Sequence, residues 1–395
     1  MNAANEYLSR GVSPTKDDVH AAIRGVSAGL YPGAFCKIVE DVGGDPNMAV
    51  VMHADGAGTK SILAYIHYKE TSDASVFRGI AQDSAVMNID DVACVGACTN
   101  FLLSNTIGRN AHRCGGDVLA ELVAGYADFS ASMAERGVEV VLTGGETGDV
   151  GDLVQTVIVD STLYVRFPRS SVVSCANIAP GNVIVALESG GRATYEKERN
   201  SGIGSNGFTL ARHVLLNAEY GRRFPETFSN TLASDKVYGG PYMFSDALPG
   251  GDSMTIGQAL LSPTRTYVPI IRDVLQALGR SVTGIIHCTG GGQAKCRSFG
   301  SELHYVKRDL FDVPPLFVAI QAAGGIDWRQ MFAVFNMGHR MEFYCEPAAA
   351  DAIIATAERY AVRAKVIGEV ERARKSQSGN TVSVFHDGHE YHYGA

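Results

Sequence analysis

AVVMHADGAGTK, residues 49–60, is the stretch on which the reading of this chain turns. A short apolar run passes into polar and glycine residues, which predicts a strand that delivers a functional turn. The turn itself, Asp55-Gly-Ala-Gly-Thr-Lys60, carries Gly-x-Gly after a strand, as a dinucleotide-binding loop does. Ser61 stands where the third glycine of that loop belongs, and no Gly-Lys-Ser/Thr occurs to make a Walker A loop. What remains is an aspartate able to hold a hard cation and a lysine able to neutralise a phosphate. Taken alone, an Asp-Gly turn with a surface lysine accounts for it equally well.

Working outward, residues 74–97 have apolar side chains near helical spacing and carry Asp83, Asp90 and Asp91. Asp83 and Asp90 fall on one face, and carboxylates on so apolar a helix are costly to bury unless paired or metal-bound. A second helix is expected over 115–136, a strand over 137–147 and a long β segment over 153–165. The strand over 137–147 ends in Gly144, Gly145 and Glu146, so Asp55, Asp91 and Glu146 form three separated acidic points. That number suits Mg²⁺, which takes few protein carboxylates and relies on substrate phosphates.

Residues 167–182 lose periodicity and hold two prolines, which places a domain boundary near 170–180 and gives units of 1–175 and 176–395. The second half restarts with the strand NVIVALES, then a helix after Ser205, Asn206 and Gly207. Helices are expected over 263–279 and 347–361, and strands over 282–288 and 364–371. Residues 221–257 are polar and rich in Gly and Pro, and read as an insertion: a surface loop, or an arm laid on a partner subunit. Alternating strands and helices in both halves predict an α/β to α+β protein of two domains.

Composition narrows the function. With 395 residues, 46% of them hydrophobic, the chain can build two cores. A net charge of −8 argues against nucleic acid as the main partner. The N-terminus lacks the apolar core of a leader peptide, and no apolar stretch is long enough for a membrane helix. Eight dispersed cysteines without a C-x-x-C pair read as reduced thiols, so the expected compartment is the cytoplasm.

The second half adds turns fit for anions: Ser205-Asn206-Gly207 at a helix start, Thr289-Gly290-Gly291-Gly292 after a strand, and Arg265 in Pro263-Thr-Arg-x-Tyr267. With Asn88-Ile-Asp-Asp91, Gly144-Gly-Glu-Thr147, His287-x-Thr-Gly-Gly-Gly292 and Phe335-Asn336-x-Gly338, the order of motifs resembles the phosphoribosylformylglycinamidine cyclo-ligase family, the aminoimidazole ribonucleotide synthetases, over residues 25–372. The resemblance implies ATP-dependent ring closure of formylglycinamidine ribonucleotide in purine synthesis, with Mg²⁺. It also implies a homodimer whose N-terminal sheets pair and a groove between the domains. Carried over by position, Gly33, Asp55, Gly58, Thr59, Lys60, Asp91, Gly145 and Glu146 are expected at ATP, with Asp55, Asp91 and Glu146 at the metal. Ser205, Asn206, Arg265, Thr289, Gly290, Gly291 and Asn336 are expected at substrate and phosphate, and Lys60, Asn206 and His339 in catalysis.

The chain departs from the family pattern at several points. Gly204 stands where a histidine precedes Ser-Asn-Gly, and Asp90 where asparagine is common. His339 and Arg340 replace small or apolar residues, and one of them is expected to stand in for the missing histidine. Tyr31 and Pro32 replace glycines in the segment that closes over the nucleotide. Sibling ATP-using enzymes of the superfamily, among them selenophosphate synthetases with a reactive residue near the position of Cys36, remain alternatives, as does an inactive nucleotide-binding relative.

Overall fold

The computed structural model describes residues 7, 9–12, 21–23, 25–251, 253–374 and 379–394. Its first sheet is built from β1 (Val39–Glu40), β2 (Met48–Gly56), β3 (Phe101–Arg109), β4 (Val140–Asp149) and β5 (Val157–Pro168), in the order β1-β2-β5-β3-β4. Three helices accompany it: α1 (Lys60–Thr71), α2 (Phe77–Ala93) and α3 (Gly116–Ala134). β5 shows why one face is core: Val157, Val159, Leu163, Val165 and Phe167 alternate inward, with more exposed residues between them. The other face is left open, and Met52 (71% exposed), Leu102 (41%) and Ile158 (41%) project from it without cover.

The second sheet comprises β6 (Val183–Glu188), β7 (Val282–His287), β8 (Leu303–Lys307), β9 (His339–Cys345), β10 (Ala364–Arg372), β11 (Thr381–His386) and β12 (His389–Tyr393). Its order is β12-β11-β8-β10-β6-β9-β7, antiparallel except between β8 and β11. Its helices are α4 (Phe208–Leu215), α5 (Glu219–Arg223), α6 (Ile256–Leu261), α7 (Val268–Leu278), α8 (Pro315–Gly324), α9 (Trp328–Val334) and α10 (Ala350–Glu358). The two sheets are separated by the chain between Pro168 and Val183.

α2 lies at the centre of the molecule. It packs on β2, β5 and α3 on one side and on α7 on the other, so most of its residues are buried. Its carboxylates are paid for by the chain it meets. Asp83 Oδ1 accepts from the Thr264 amide (2.7 Å), the Thr264 hydroxyl (2.6 Å) and Lys60 Nζ (2.9 Å). Seven residues on, two turns along the same face, Asp90 accepts from the Thr266 hydroxyl (2.6 Å) and the Tyr267 amide (3.1 Å). Residues 263–267 are therefore extended along α2, and the helix expected to start at 263 starts at Val268 instead. The amides that would have opened the helix are spent on α2.

Lys60 completes the join. Its ammonium is fully buried and donates to Asp83, to the Ser262 carbonyl (2.6 Å) and to the Gly204 carbonyl (3.3 Å). Residues 221–257, expected as a loop or an arm on a partner, fold back on their own chain: Tyr65 donates to Glu226 (2.5 Å) and Arg223 to Glu70 (2.7 Å). Removing Lys60 alone strands the Asp83 carboxylate in the interior. Lys60→Met should cost about 3–5 kcal/mol in a urea titration, and Asp83→Asn added to it should cost less than the two single changes summed. Additive losses would mean the pair is not coupled.

Candidate functional site

The end of β2, the last turn of α2 and the end of β7 converge on one acidic point. Asp55 ends β2 facing the α2 side of the sheet, and its Oδ1 accepts from the Gly56 amide (2.7 Å). Asp91 Oδ1 meets His287 Nδ1 at 2.7 Å, and its Oδ2 lies 3.6 Å from His53 Nε2. Asn88 fixes the arrangement: its amide nitrogen is directed at the carbonyls of Asp55, Ser84 and Ser161. Its oxygen therefore accepts from His53 Nδ1–H (2.9 Å), which leaves His53 Nε2 facing Asp91.

Electrostatics follow from this geometry. Burial pushes the Asp55 carboxyl up, and the Asp91 charge pushes it further. Burial acts on Asp91 in the same sense, but the His287 hydrogen bond and nearby positive charge outweigh it and hold the group below the usual carboxylate range. His287 is driven down to about 4, chiefly by burial, so it is a neutral imidazole beside a carboxylate. Two carboxylates backed by hydrogen bonds make an oxygen donor set that fits Mg²⁺.

The turn Asp55-Gly-Ala-Gly-Thr-Lys60 meets the Ser205-Asn206-Gly207 turn across the seam. Lys60 holds the Gly204 carbonyl, and the Thr59 hydroxyl lies 3.2 Å from that of Thr209. Ser205 shares a hydrogen bond with Thr264 (2.8 Å), while Ser205 and Asn206 stay half-buried at the opening. Gly33, with φ +88°, packs against Ala176, and the following Cys36 thiol donates to the Asp91 carbonyl (3.2 Å), so this loop already lies on the site. Thr289 is buried and Gly290 exposed beside it.

Several expected roles need correction. Lys60 is spent on Asp83 and two carbonyls and presents no charge to a phosphate. Arg265 is buried in a two-pronged pair with Glu196 (3.0 and 2.5 Å) and donates to the Glu188 and Gly190 carbonyls, so it braces the loop after β6 rather than a substrate. Asn336 likewise binds backbone, donating to the carbonyls of Gly202 and Ile203. His339 turns into the second core, 2.8 Å from Glu342, whose other partners are Lys307 and Tyr344 (2.5 Å each). Cys288, His339 and Glu342 cluster there at metal-ligand spacing, but the Lys307 ammonium is already the counter-charge.

Glu146 is not brought to Asp55 within one chain. In register across the sheet, Glu146 pairs with Thr106, Thr106 with Asp160, and Asp160 with Gly56. Three strand spacings make about 14 Å, and this row faces the open side of the sheet, opposite to Asp55. Conversely, Lys295 was missed. It donates to Thr289 (2.9 Å), lies 4.6 Å over the Phe35 ring and bears electrostatically on both Asp55 and Asp91. Its signal was its place one helical turn after the glycines at 290–292. A separate cavity of about 970 Å³ opens between the end of α1 and residues 244–263, reaching Ser262 but none of the acidic residues of the site.

A strand-end aspartate, a helix-end aspartate and glycine turns meet at the seam of two mixed α/β domains, without the third glycine of a dinucleotide-binding loop. The chain belongs to the AIR synthase related family: residues 33–163 match its N-terminal domain and 179–379 its C-terminal domain. Among curated relatives, phosphoribosylformylglycinamidine cyclo-ligase of Lachnospira eligens is 28% identical over 377 residues, 94% of each chain. That of Methanococcus vannielii is 27% identical over 326 residues, covering 82% of this chain and 78% of its own. Among solved structures, phosphoribosylformylglycinamidine synthase II of Thermotoga maritima superposes with a TM-score of 0.52 at 15% identity, over 99% of this chain. This chain spans about half of that protein, 53% of its length. A chain of a HypE–HypF complex superposes with a TM-score of 0.55 at 14% identity, covering 95% of this chain and 98% of its own. These likenesses show the fold.

Asp90 supplies a test of the seam. Burial pushes its carboxyl from the ordinary 3.8 up to about 7, against the pull of Arg340 and its hydrogen bonds. A raised folded-state value means stability is fully present below the unfolded value and is lost as pH rises through about 7. Asp90→Asn removes that loss. Between pH about 4 and 7 the variant should gain on wild type by on the order of 3–4 kcal/mol in denaturant titrations, at 1.36 kcal/mol per unit. A difference that stays constant with pH would contradict the burial of an ionisable group there.

Proposed function

We propose that this chain closes formylglycinamidine ribonucleotide to aminoimidazole ribonucleotide at the expense of ATP, releasing ADP and phosphate. The observation that carries this reading is the meeting of Asp55 and Asp91 with the Ser205-Asn206 turn at one seam. It is supported by relatives bearing the cyclo-ligase name that match the chain almost end to end. The chemical problem is that an amide oxygen is a poor leaving group. Phosphorylating the formyl oxygen lets the amidine nitrogen attack that carbon, and the imidazole ring closes as phosphate departs.

Asp55 and Asp91 would hold Mg²⁺, which neutralises the ATP phosphates and favours phosphoryl transfer. Lys295 places a cation on the side of Thr289 and Gly290, facing the phosphate of the nucleotide or substrate. Ser205 and Asn206 line the opening on the opposite wall and orient the ribonucleotide. His53, partly exposed with Nε2 free of its Asn88 bond, is the nitrogen base positioned to take the proton the amidine sheds. A selenophosphate-type role for Cys36 is disfavoured, because burial drives its thiol far from ionisation and its Sγ–H is engaged by the Asp91 carbonyl. No helix among the described residues is long and apolar enough to cross a membrane.

Glu146 fits the reading through a second copy. β4 is the open edge of its sheet and exposes Val141 (45%) and Leu142 (38%) beside the bare face of Met52, Leu102 and Ile158. A long apolar edge of this kind is covered in stable proteins, and a homodimer through it brings each Glu146 to its partner's seam. Two measurements separate the parts of this proposal. Wild type should release ADP in step with imidazole product, and Asp91→Asn should abolish both; ADP release without product would point to a sibling kinase-like reaction. Purified heterodimers of Asp91→Asn with Glu146→Gln should regain about half the wild-type turnover, one of two sites being intact. Inactive heterodimers would place Glu146 outside the partner's site.

A further inference from the structure

Gly204, Tyr267 and His287 lie around one side chain, that of Arg340. Arg340 is buried, 1% exposed, at the start of β9. Its Nε donates to His287 Nε2 (3.1 Å), its Nη2 to the Arg265 carbonyl, and its guanidinium lies 5.2 Å over the Tyr267 ring. Asp90 holds the amide of that same Tyr267. The third guanidinium nitrogen, Nη1, has no partner although it is buried, and it points at Gly204: a Cβ on residue 204 would lie 3.0 Å from Nη1 and 3.4 Å from Cδ. Gly204 also has φ +74°, so a side chain there is strained as well as obstructed. Arg340 thus takes up the volume that a histidine at 204 would need.

The contact with His287 has a consequence for the site. A guanidinium is always a donor and never an acceptor, so His287 Nε2 must carry the lone pair. The ring proton is then on Nδ1, aimed at Asp91 Oδ1 at 2.7 Å. We propose that Arg340, admitted by Gly204, is the positioning residue that locks His287 in its Nδ1–H form and so presents Asp91 to the metal as an oriented carboxylate. Groups behind a metal ligand that fix its tautomer and direction change metal affinity by about 10–100-fold when removed. Arg340 does this here from a strand that carries neither ligand.

This inference rests on the Asp91 assignment above for its meaning, but its test does not need the reaction. Imidazole ¹⁵N resonances of histidine-labelled protein near neutral pH, with His287 assigned by its loss in His287→Gln, report which ring nitrogen carries the proton. Wild type should show Nδ1 protonated and Nε2 bare. Arg340→Met should abolish that fixed pattern, Arg340→Lys should retain it, and Mn²⁺ binding should weaken at least about 10-fold in Arg340→Met alone. A protonated Nε2 in wild type, read without any variant, overturns the proposal, as does an unchanged pattern in Arg340→Met. Gly204→His should lower the thermal midpoint in the presence of Arg340 and be relieved by adding Arg340→Gly; independent, additive effects would refute the exchange of volume between the two positions.

Discussion

The grip of two buried carboxylates on one extended segment organises this protein. Asp83 and Asp90, two turns apart on α2, take up the hydroxyls and amides of Thr264, Thr266 and Tyr267. A carboxylate taken out of water is costly unless donors meet it, and residues 264–267 supply hydroxyls and backbone amides to Asp83 Oδ1 and to Asp90. One helix thereby belongs to both domains. Its next residue after Asp90 is Asp91, so the element that fastens the domains also delivers the acidic group of the site. A shift of the seam cannot leave the site unchanged.

That sharing explains which site residues were legible in the sequence. The positions of Asp55 and Asp91 near the ends of a strand and a helix were legible because those elements show their periods plainly. Lys60, Arg265, Asn336 and His339 were read as ligand-facing because a polar residue beside a glycine turn has the same local sequence whether it holds a phosphate or a carbonyl. The structure gives all four to internal acceptors and donors. Only the partner across the fold separates the two cases, and the partner lies 23 to 144 residues away for the Lys60 contacts with Asp83 and Gly204. Glu146 is separated from Asp55 within one chain for another reason: the strand was visible but the strand order was not, and β5 and β3 intervene between β2 and β4.

The fold was legible to the same depth. β5 and α2 show their periods openly, and their limits lie within a few residues of expectation. β3 has Ser104, Asn105 and Thr106 at its middle, where a strand with one open face tolerates polar residues, and it was not anticipated. β9 is buried along its whole length but holds His339, Arg340 and Glu342, charges that mask the apolar run until Lys307 and His287 are seen to meet them.

The seam also bears on how one fold hosts several chemistries. A synthase and a HypE–HypF component share this architecture with the chain at about 15% identity, so the sheets and helices do not choose the reaction. Choice must lie in side chains at the seam that are free to differ without disturbing the Asp83 and Asp90 grip. Residue 204 is such a position, because its carbonyl is what Lys60 requires and its side chain is not. Arg340 is another, because it approaches from β9 and spends its hydrogen bonds on His287 and the Arg265 carbonyl, not on Asp83 or Asp90. Side chains at these two positions can therefore differ between proteins of this fold without loosening the join of the domains. The clamp is held by Asp83, Asp90 and the hydroxyls and amides they meet, and the chemistry is left to side chains standing just beside it.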